Sequence, residues 1–171
     1  MESYRRSRPF HRLVRRMAAT RLMAKIYGVI QQPIDRFVYR LTRGRTTASS
    51  WLGGVEITML TTTGAKTGMR RTLPVLGLPE GDGMIVIASN FGRPRNPAWY
   101  HNLRTNPDAS IVFEGTRREV VARVLSGAER DRAYARGEEI YPGFTHYVRW
   151  AGDRQIPVIR LVPRGHDGRA L

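Results

Sequence analysis

The feature that most constrains the fold is a series of short strand-like segments between residues 55 and 162. Apolar residues alternate with polar ones or run together over a few positions, which is typical of β-strands. The links between neighbouring segments are mostly too short for the crossovers that parallel strands need. An antiparallel barrel or curled sheet is therefore predicted, with strands at Val55–Thr61, Thr72–Leu78, Met84–Ala88, Ala109–Phe113, Arg117–Leu125 and Pro157–Val162.

Glycine and proline positions refine this outline. Gly81-Asp82-Gly83 and Gly115 are predicted as hairpin turns. Pro74 favours an edge strand or a bulge, because proline cannot donate a hydrogen bond to a neighbouring strand. Two helices are predicted between strands, at Pro97–Thr105 and Gly127–Ile140, the first with proline in its opening turn.

The N-terminal part differs from the rest in its charge. The chain has 29 Lys and Arg against 14 Asp and Glu, a net charge of +15, and residues 1–45 carry most of the excess. Apolar residues within 10–41 recur with a helical period opposite a basic face, with a break at Pro33. Such a helix either lies on an anionic membrane surface or packs on the domain with its basic face solvated. We therefore divide the chain into a helical extension, residues 1–45, and a barrel domain, residues 46–171.

Composition excludes several classes of site. There is no cysteine, so disulfides and thiolate metal sites are excluded, and the scattered histidines predict no metal site. No uncharged apolar run approaches the roughly 18 residues of a membrane span, and arginines interrupt any export signal, so a cytoplasmic protein is predicted. The sequence pI near 11.4 raises nucleic-acid binding, but no nucleic-acid-binding module is visible and specific binding is not expected.

The first candidate site is Thr61–Arg71, a glycine-bounded turn that carries cations. Gly64 and Gly68 allow a tight turn whose backbone N–H groups point outward. Lys66 and the arginines that follow it provide positive charge suited to a phosphate or carboxylate. The segment contains neither the Walker pattern nor G-x-G-x-x-G. An ordinary solvated hairpin is the alternative interpretation.

The second candidate, Ser89–Leu103, runs from the end of an apolar strand through a proline-rich loop into an aromatic helix start. The hydroxyl of Ser89 and the amide of Asn90 could hydrogen-bond a heteroaromatic ring, and Trp99 offers a flat apolar wall. Alternatively, Trp99 is a core residue that packs beside Leu103 one turn later.

The third candidate is an aromatic series formed by Tyr141, Phe144, Tyr147 and Trp150. Their spacing of three residues would place them along one helical face. Such a series usually belongs to a core. As a lid it would cover a flat ligand, and the tyrosine hydroxyls could supply a proton.

Taken together, these motifs resemble the deazaflavin-dependent nitroreductase family over about residues 50–163. The matching segments are Thr-Thr-Thr-Gly-Ala-Lys-Thr-Gly-Met-Arg-Arg-Thr-Leu-Pro from residue 61, Ser-Asn-Phe-Gly-Arg-Pro-Arg-Asn-Pro-Ala-Trp-Tyr-His-Asn-Leu from residue 89, Asn-Pro from 106 and Ile-Pro from 156. The resemblance implies a split β-barrel related to flavin-mononucleotide-binding proteins. It also implies hydride transfer from reduced coenzyme F420, an 8-hydroxy-5-deazaflavin, to quinones and in some members to nitroaromatic compounds.

The resemblance also implies roles for individual residues. Those expected to hold the cofactor phosphate are Lys66, Thr67, Gly68 and Arg71, with Pro74 beside them. Those expected to line the deazaflavin ring are Ile87, Ala88, Ser89, Asn90, Ala98 and Trp99. The expected catalytic hydrogen-bonding groups are Ser89, Tyr141 and Tyr147, and the expected substrate pocket includes Leu76, Phe144 and Tyr147.

Two positions depart from the family pattern. Phe144 and Leu76 stand where nitro-reducing members have tyrosine, which argues against nitro reduction and affects quinone reduction less. Two other functions stay open on the same barrel: a reductase that uses flavin mononucleotide, and a non-enzymatic carrier of a lipid or other apolar ligand. The partners expected are a quinone-like acceptor, the inner face of the membrane through residues 10–41, and a second copy of the chain, since barrels of this kind often pair.

Overall fold

The computed structural model describes residues 34–35, 37–38 and 57–165. Within residues 57–165, six antiparallel strands form a closed barrel in the order β1-β2-β3-β6-β5-β4, which confirms the predicted fold. The strands are β1 Ile57–Thr63, β2 Arg70–Glu80, β3 Gly83–Ile87, β4 Asp108–Phe113, β5 Thr116–Val124 and β6 Val158–Pro163. Each predicted strand is present, with ends no more than two residues from the prediction; Val55 and Glu56, the predicted start of the first strand, lie outside the described residues.

Helices occupy two of the connections. Helix α1, Ala98–Thr105, lies between β3 and β4 and follows a single 3₁₀ turn at Asn90–Gly92. Helices α2, Gly127–Ile140, and α3, Gly143–Ala151, lie between β5 and β6. Residues 34, 35, 37 and 38 are helical as well. The rest of the predicted N-terminal helix and the boundary at residues 45–46 lie outside the described residues.

Both predicted hairpin turns are confirmed. The loop Gly81-Asp82 joins β2 to β3, and the loop Glu114-Gly115 joins β4 to β5. Gly81 and Gly115 have φ values of +59° and +75°, a conformation that costs glycine little and other residues more. These turns fix the register of the two hairpins.

Pro74 lies where one side of β2 is free of strand pairing. It stands opposite Met59 of β1, whereas the ladder between β2 and β3 covers only Gly77–Glu80. The missing N–H of proline therefore breaks no bond to β3, as the prediction of an edge position requires.

Alternate residues of each strand point to opposite faces and so build two apolar clusters. One cluster fills the barrel, for example with Val86 of β3, and α1 adds Trp99 and Leu103 to it. The other lies on the outer face of β3, where Ile85 and Ile87 pack against α2 and α3. We call the second one the outer cluster; its buried members are Leu78, Ile85, Ile87, Leu125, Ala133, Tyr134, Phe144, Tyr147, Ala151, Ile156 and Val158.

Candidate active site

The connection between β1 and β2 is a compact turn held by its own backbone. The N–H of Gly64 donates to the carbonyl of Met69 at 2.8 Å. The N–H groups of Thr67 and Gly68 donate to the carbonyl of Gly64 at 3.2 and 2.8 Å. Gly68 has a φ of +65°, so the turn uses a conformation that favours glycine.

A side chain of α1 completes the turn. The N–H of Ala65 donates to Oδ1 of Asn102 at 3.0 Å, and Nδ2 of Asn102 donates to the hydroxyl of Thr62 at 3.0 Å. Of the amides between residues 64 and 69, only that of Lys66 forms no hydrogen bond with the described residues. The prediction of several outward-pointing amides is therefore wrong. An anion at this turn would be held mainly by side chains.

The cations of the turn lie on the surface. Lys66, Arg70 and Arg71 are exposed, and Lys66 forms no ion pair with a described carboxylate. Nη2 of Arg70 donates to the hydroxyl of Ser110 at 3.3 Å. Asp108, which begins β4 beside the end of β1, forms an ion pair with Arg164, and Glu80, the one carboxylate of β2, lies at the far end of that strand. The local charge is therefore positive and suits an anionic ligand.

The loop after β3 begins with a strained backbone. Asn90 and Phe91 have φ values of 49° and 55°, a region that asparagine tolerates but that an aromatic residue such as Phe91 seldom occupies. Nδ2 of Asn90 donates to the carbonyl of Arg95 at 2.8 Å, and the N–H of Gly92 donates to the carbonyl of Ser89 at 3.0 Å. These bonds hold the loop in one conformation.

Ser89 combines a fixed backbone with an available hydroxyl. Its N–H donates to the carbonyl of Ile87 at 2.9 Å, and its carbonyl accepts from Nη2 of Arg154 at 2.7 Å. The residue is 9% exposed, and its hydroxyl forms no hydrogen bond with the described residues. Sequence reasoning overlooked Arg154, because nothing in its neighbourhood marks it among so many arginines.

The residues expected to line a ring surround the end of β3 and the start of α1, but their side chains differ in direction. Ala88 and Trp99 belong to the barrel cluster, and Trp99 packs there with Leu103, as the alternative interpretation of Trp99 predicts. Ile87 belongs to the outer cluster, and Ala98 is exposed. Ala88 and Trp99 therefore lie beneath this region, inside the barrel, and support it there.

The aromatic series packs together, although not along one helix. Phe144, Tyr147 and Trp150 lie in α3, whereas Tyr141 lies between α2 and α3, so the prediction of a single helical face is wrong for Tyr141. The hydroxyl oxygens of Tyr141 and Tyr147 are 3.1 Å apart. A Cβ added at Gly143 would lie 2.2 Å from the ring of Tyr141. Glycine at this position is what lets that ring fold back over the start of α3.

Burial determines the protonation of the tyrosines behind the site. Tyr147 is 2% exposed, and burial, reinforced by Tyr141, raises its pKa well above the ordinary value. Burial also raises the pKa of Tyr134, whose hydroxyl donates to the carbonyl of Phe144 at 2.9 Å. Both hydroxyls therefore keep their protons at neutral pH.

The structure brings the three candidate segments into contact in series. Asn102 joins the β1–β2 turn to α1. The loop after β3 lies against α3: the rings of Phe91 and Tyr147 have centroids 6.0 Å apart. A Cβ added at Gly92 would lie 2.8 Å from Cβ of Trp150. Leu76 packs against the outer cluster, to which Tyr147 belongs.

Two kinds of feature are absent from the described part of the chain. It contains no helix with the length and apolar character needed to cross a membrane. It brings no three His, Asp or Glu side chains together in a way that could hold a metal ion.

Comparison with known proteins identifies the family. The model of the F420H(2)-dependent quinone reductase family matches residues 34–163. The chain belongs to this family. The match begins before residue 50, where the motifs of the sequence placed the start of the likeness, and it includes part of the predicted N-terminal extension.

Individual relatives agree with this assignment. An F420H(2)-dependent quinone reductase of Mycobacterium tuberculosis is 34% identical over 153 residues, which cover 86% of this chain and all of that protein. The solved structure of an F420-H2 dependent reductase is 35% identical with a TM-score of 0.57, over 61% of this chain and 92% of that one. A second solved structure, described as a domain-swapped dimer, is 31% identical with a TM-score of 0.60, over 74% of this chain and 94% of that one.

Family membership confirms the function expected from the motifs. The chain is an oxidoreductase of the quinone reductase family, and its cofactor is coenzyme F420. The two alternatives, flavin mononucleotide as cofactor and a non-enzymatic carrier of apolar ligands, are not favoured.

Proposed function

We propose that a hydride passes from reduced coenzyme F420 to a quinone at the surface formed by the β1–β2 turn, the loop after β3 and the rings of α3. The observation that carries this proposal is the contact of the three segments in series, through Asn102 and Gly92. This surface offers exposed cations at one end and, further along, the accessible hydroxyl of Ser89, which has no partner among the described residues. Both features suit a ligand with a charged tail and a polar-edged ring.

The phosphate of the cofactor is proposed to bind the turn. Lys66 and Arg71 are exposed cations that can donate charge-assisted hydrogen bonds. Thr67 already accepts a hydrogen bond from the amide of Met69 at 3.3 Å, which leaves its own hydroxyl hydrogen free to donate. Gly68 presents a backbone without a side chain, and Pro74 on β2 is the residue proposed to lie beside them.

The ring is proposed to bind at the end of β3. The hydroxyl of Ser89 fits a heteroaromatic edge, since it has no partner among the described residues, and Asn90 follows it directly. Ile87 and Ala98 are proposed to contact the ring. Ala88 and Trp99 support this surface from the barrel cluster.

When bound, reduced coenzyme F420 supplies the hydride. A quinone that accepts a hydride also needs one proton to become a quinol. We assign that proton to the hydroxyl of Tyr141, which is half-buried and pairs with the buried Tyr147. Tyr147 keeps its proton and so orients Tyr141, while Ser89 positions a reacting oxygen.

The acceptor proposed is a quinone rather than a nitro compound. Phe144 and Leu76 pack in and against the outer cluster and have no hydroxyl to stabilise charge on a nitro group. Nitroaromatic compounds are therefore proposed as poor acceptors. A substitution Phe144→Tyr that raised nitro reduction and left quinone reduction unchanged would support this assignment.

A peripheral membrane contact and a dimer complete the proposal. Ile34 and Phe37, both within the basic segment 10–41, are 46% and 66% exposed, which supports docking of that segment on an anionic bilayer. Co-sedimentation with anionic vesicles, but not with neutral ones, would be the expected result, and deletion of residues 1–45 should abolish it. The domain-swapped relative supports a dimer, which sedimentation equilibrium would test.

The reaction itself is tested with purified protein, reduced coenzyme F420 and menadione. Absorbance and fluorescence should report re-oxidation of the cofactor that depends on both protein and menadione. Flavin mononucleotide in place of coenzyme F420 should give no comparable turnover. Failure of the protein to bind coenzyme F420 and to oxidise its reduced form would overturn the proposed function.

A further inference from the structure

Arg154, in the segment between α3 and β6, holds both ends of the loop after β3. Its Nη2 donates to the carbonyl of Ser89 at 2.7 Å, and its Nη1 to the carbonyl of Ala88 at 3.2 Å. Its Nε donates to the carbonyl of Arg93 at 3.0 Å, and Nη1 also reaches Oδ1 of Asn96 at 2.7 Å. A single guanidinium thus bonds to four oxygens of one loop.

The loop itself surrounds this positive charge. Among the described residues, no carboxylate forms an ion pair with Arg154. Burial lowers the pKa of its guanidinium from the ordinary value. The neutral oxygens of the loop therefore take the place of a counter-ion. A planar fork of donors matches several oxygens at once, whereas a lysine ammonium presents its donors from one point.

The loop needs this support because its backbone is strained. Asn90 and Phe91 both have positive φ, and for an aromatic residue such as Phe91 this conformation persists only where the surroundings fix it. The carbonyls of Ala88 and Ser89 precede the strained pair, and that of Arg93 follows it. Arg154 therefore bonds to the backbone on both sides of Asn90 and Phe91.

We infer that Arg154 is a positioning residue for cofactor binding, because it holds Ser89 and Asn90 in the arrangement that the ring requires. This inference rests on the proposed function, in which these two residues meet the ring. Arg154 acts through the loop backbone and is not assigned any contact with the reacting atoms.

The first test is a fluorescence titration of coenzyme F420 into the full-length protein and its variants. Arg154→Ala and Arg154→Lys should each raise Kd about tenfold or more. Arg136→Ala is the matched control, because Arg136 also donates to a main-chain carbonyl, but to that of Pro79 in β2 and not to the loop. The control should stay within about twofold of the unaltered protein.

The second test needs no cofactor. In the free protein, the amides of Gly92 and Arg93 donate within the loop, to Ser89 and Asn90. In Arg154→Lys these amides should exchange hydrogen faster, while the amides of the barrel strands exchange as before. A merely structural role would instead speed exchange throughout the barrel.

The outcomes separate this inference from the proposed function. If the unaltered protein does not bind coenzyme F420, the proposed function fails and so does the inference. If it binds and Arg154→Lys binds equally tightly, or if loop exchange is unchanged, only the inference is wrong. Should Arg154→Ala fail to fold, Arg154→Lys decides the question, since it keeps the charge.

Discussion

The β1–β2 turn and the loop after β3 present their free groups in opposite ways. In the turn, the backbone amides bond within the protein and the charged side chains are exposed. In the loop, Arg154 fixes the backbone carbonyls, and the free group is the hydroxyl of Ser89, a residue that is 9% exposed. Exposed charge acts over a distance, tolerates small displacements and is screened by salt. A single hydroxyl on a fixed loop depends on geometry, so small shifts of its support should matter more.

The largest effect is expected from Gly92→Ala, which disturbs the contact between the loop after β3 and α3. Gly92 has a φ of +70°, and a Cβ there would lie 2.8 Å from Cβ of Trp150 and 3.1 Å from the backbone of Tyr147. Backbone strain and overpacking should together lower the free energy of unfolding by about 2–4 kcal/mol. Urea unfolding measures the loss, and fluorescence titration should show weaker binding of coenzyme F420. Unchanged stability would mean that the close contact between Gly92 and α3 is not needed for the stability of the protein.

Lys66→Ala tests the turn side. Loss of one charge-assisted hydrogen bond should weaken cofactor binding by about 1–3 kcal/mol and make binding less sensitive to salt. Stability should be unaffected, because Lys66 is exposed and forms no ion pair with a described residue. Arg104→Ala, which removes an exposed cation at the end of α1, is the control and should leave affinity unchanged. Equal losses of cofactor affinity in both variants would show that the net charge of the protein, and not a contact of Lys66, determines the affinity.

The buried tyrosines behind the loop give a prediction for alkaline pH. The pKa of Tyr147 is raised by burial, so the unfolded chain releases this proton near pH 10 while the folded chain keeps it. Stability that is fully present below about pH 10 should then fall as pH rises, by about 1.4 kcal/mol per pH unit for each such tyrosine. The free energy of unfolding of Tyr147→Phe should fall less steeply between about pH 9 and pH 11. Parallel curves for the variant and the unaltered protein would contradict this account.

The fold was predictable because its signals are local. Alternating residues marked the strands, Gly81 and Gly115 marked the hairpins, and the motif likeness supplied the closure of the barrel. The prediction for Tyr141 failed, since Tyr141 lies between two helices and its ring folds over Gly143. The even spacing of the four aromatic residues could not reveal that one helix ends and another begins among them.

The site was less predictable, because its geometry depends on contacts distant in sequence. The amide of Ala65 is bonded by Asn102, 37 residues away, so a tight turn did not leave its amides free. Arg154 reaches Ser89 across 65 residues, and the sequence has 29 Lys and Arg from which to choose. The sequence thus predicts candidate residues for the site, whereas the contacts that hold those residues in place could not be predicted from it.

The smallest effect is expected from Gly68→Ala, the counterpart of Gly92→Ala in the turn. Gly68 has a φ of +65°, but a Cβ there would meet nothing within 4 Å, so only the conformational cost of about 1 kcal/mol remains. The difference in the free energy of unfolding between the two variants, measured in urea, isolates the cost of crowding the loop against α3, because both variants share the cost of positive φ. If Gly68→Ala destabilises the protein as much as Gly92→Ala, that contact contributes nothing. If it leaves Kd for coenzyme F420 unchanged, Gly68 does not approach the phosphate, and the side chains of Lys66, Thr67 and Arg71 bind it alone.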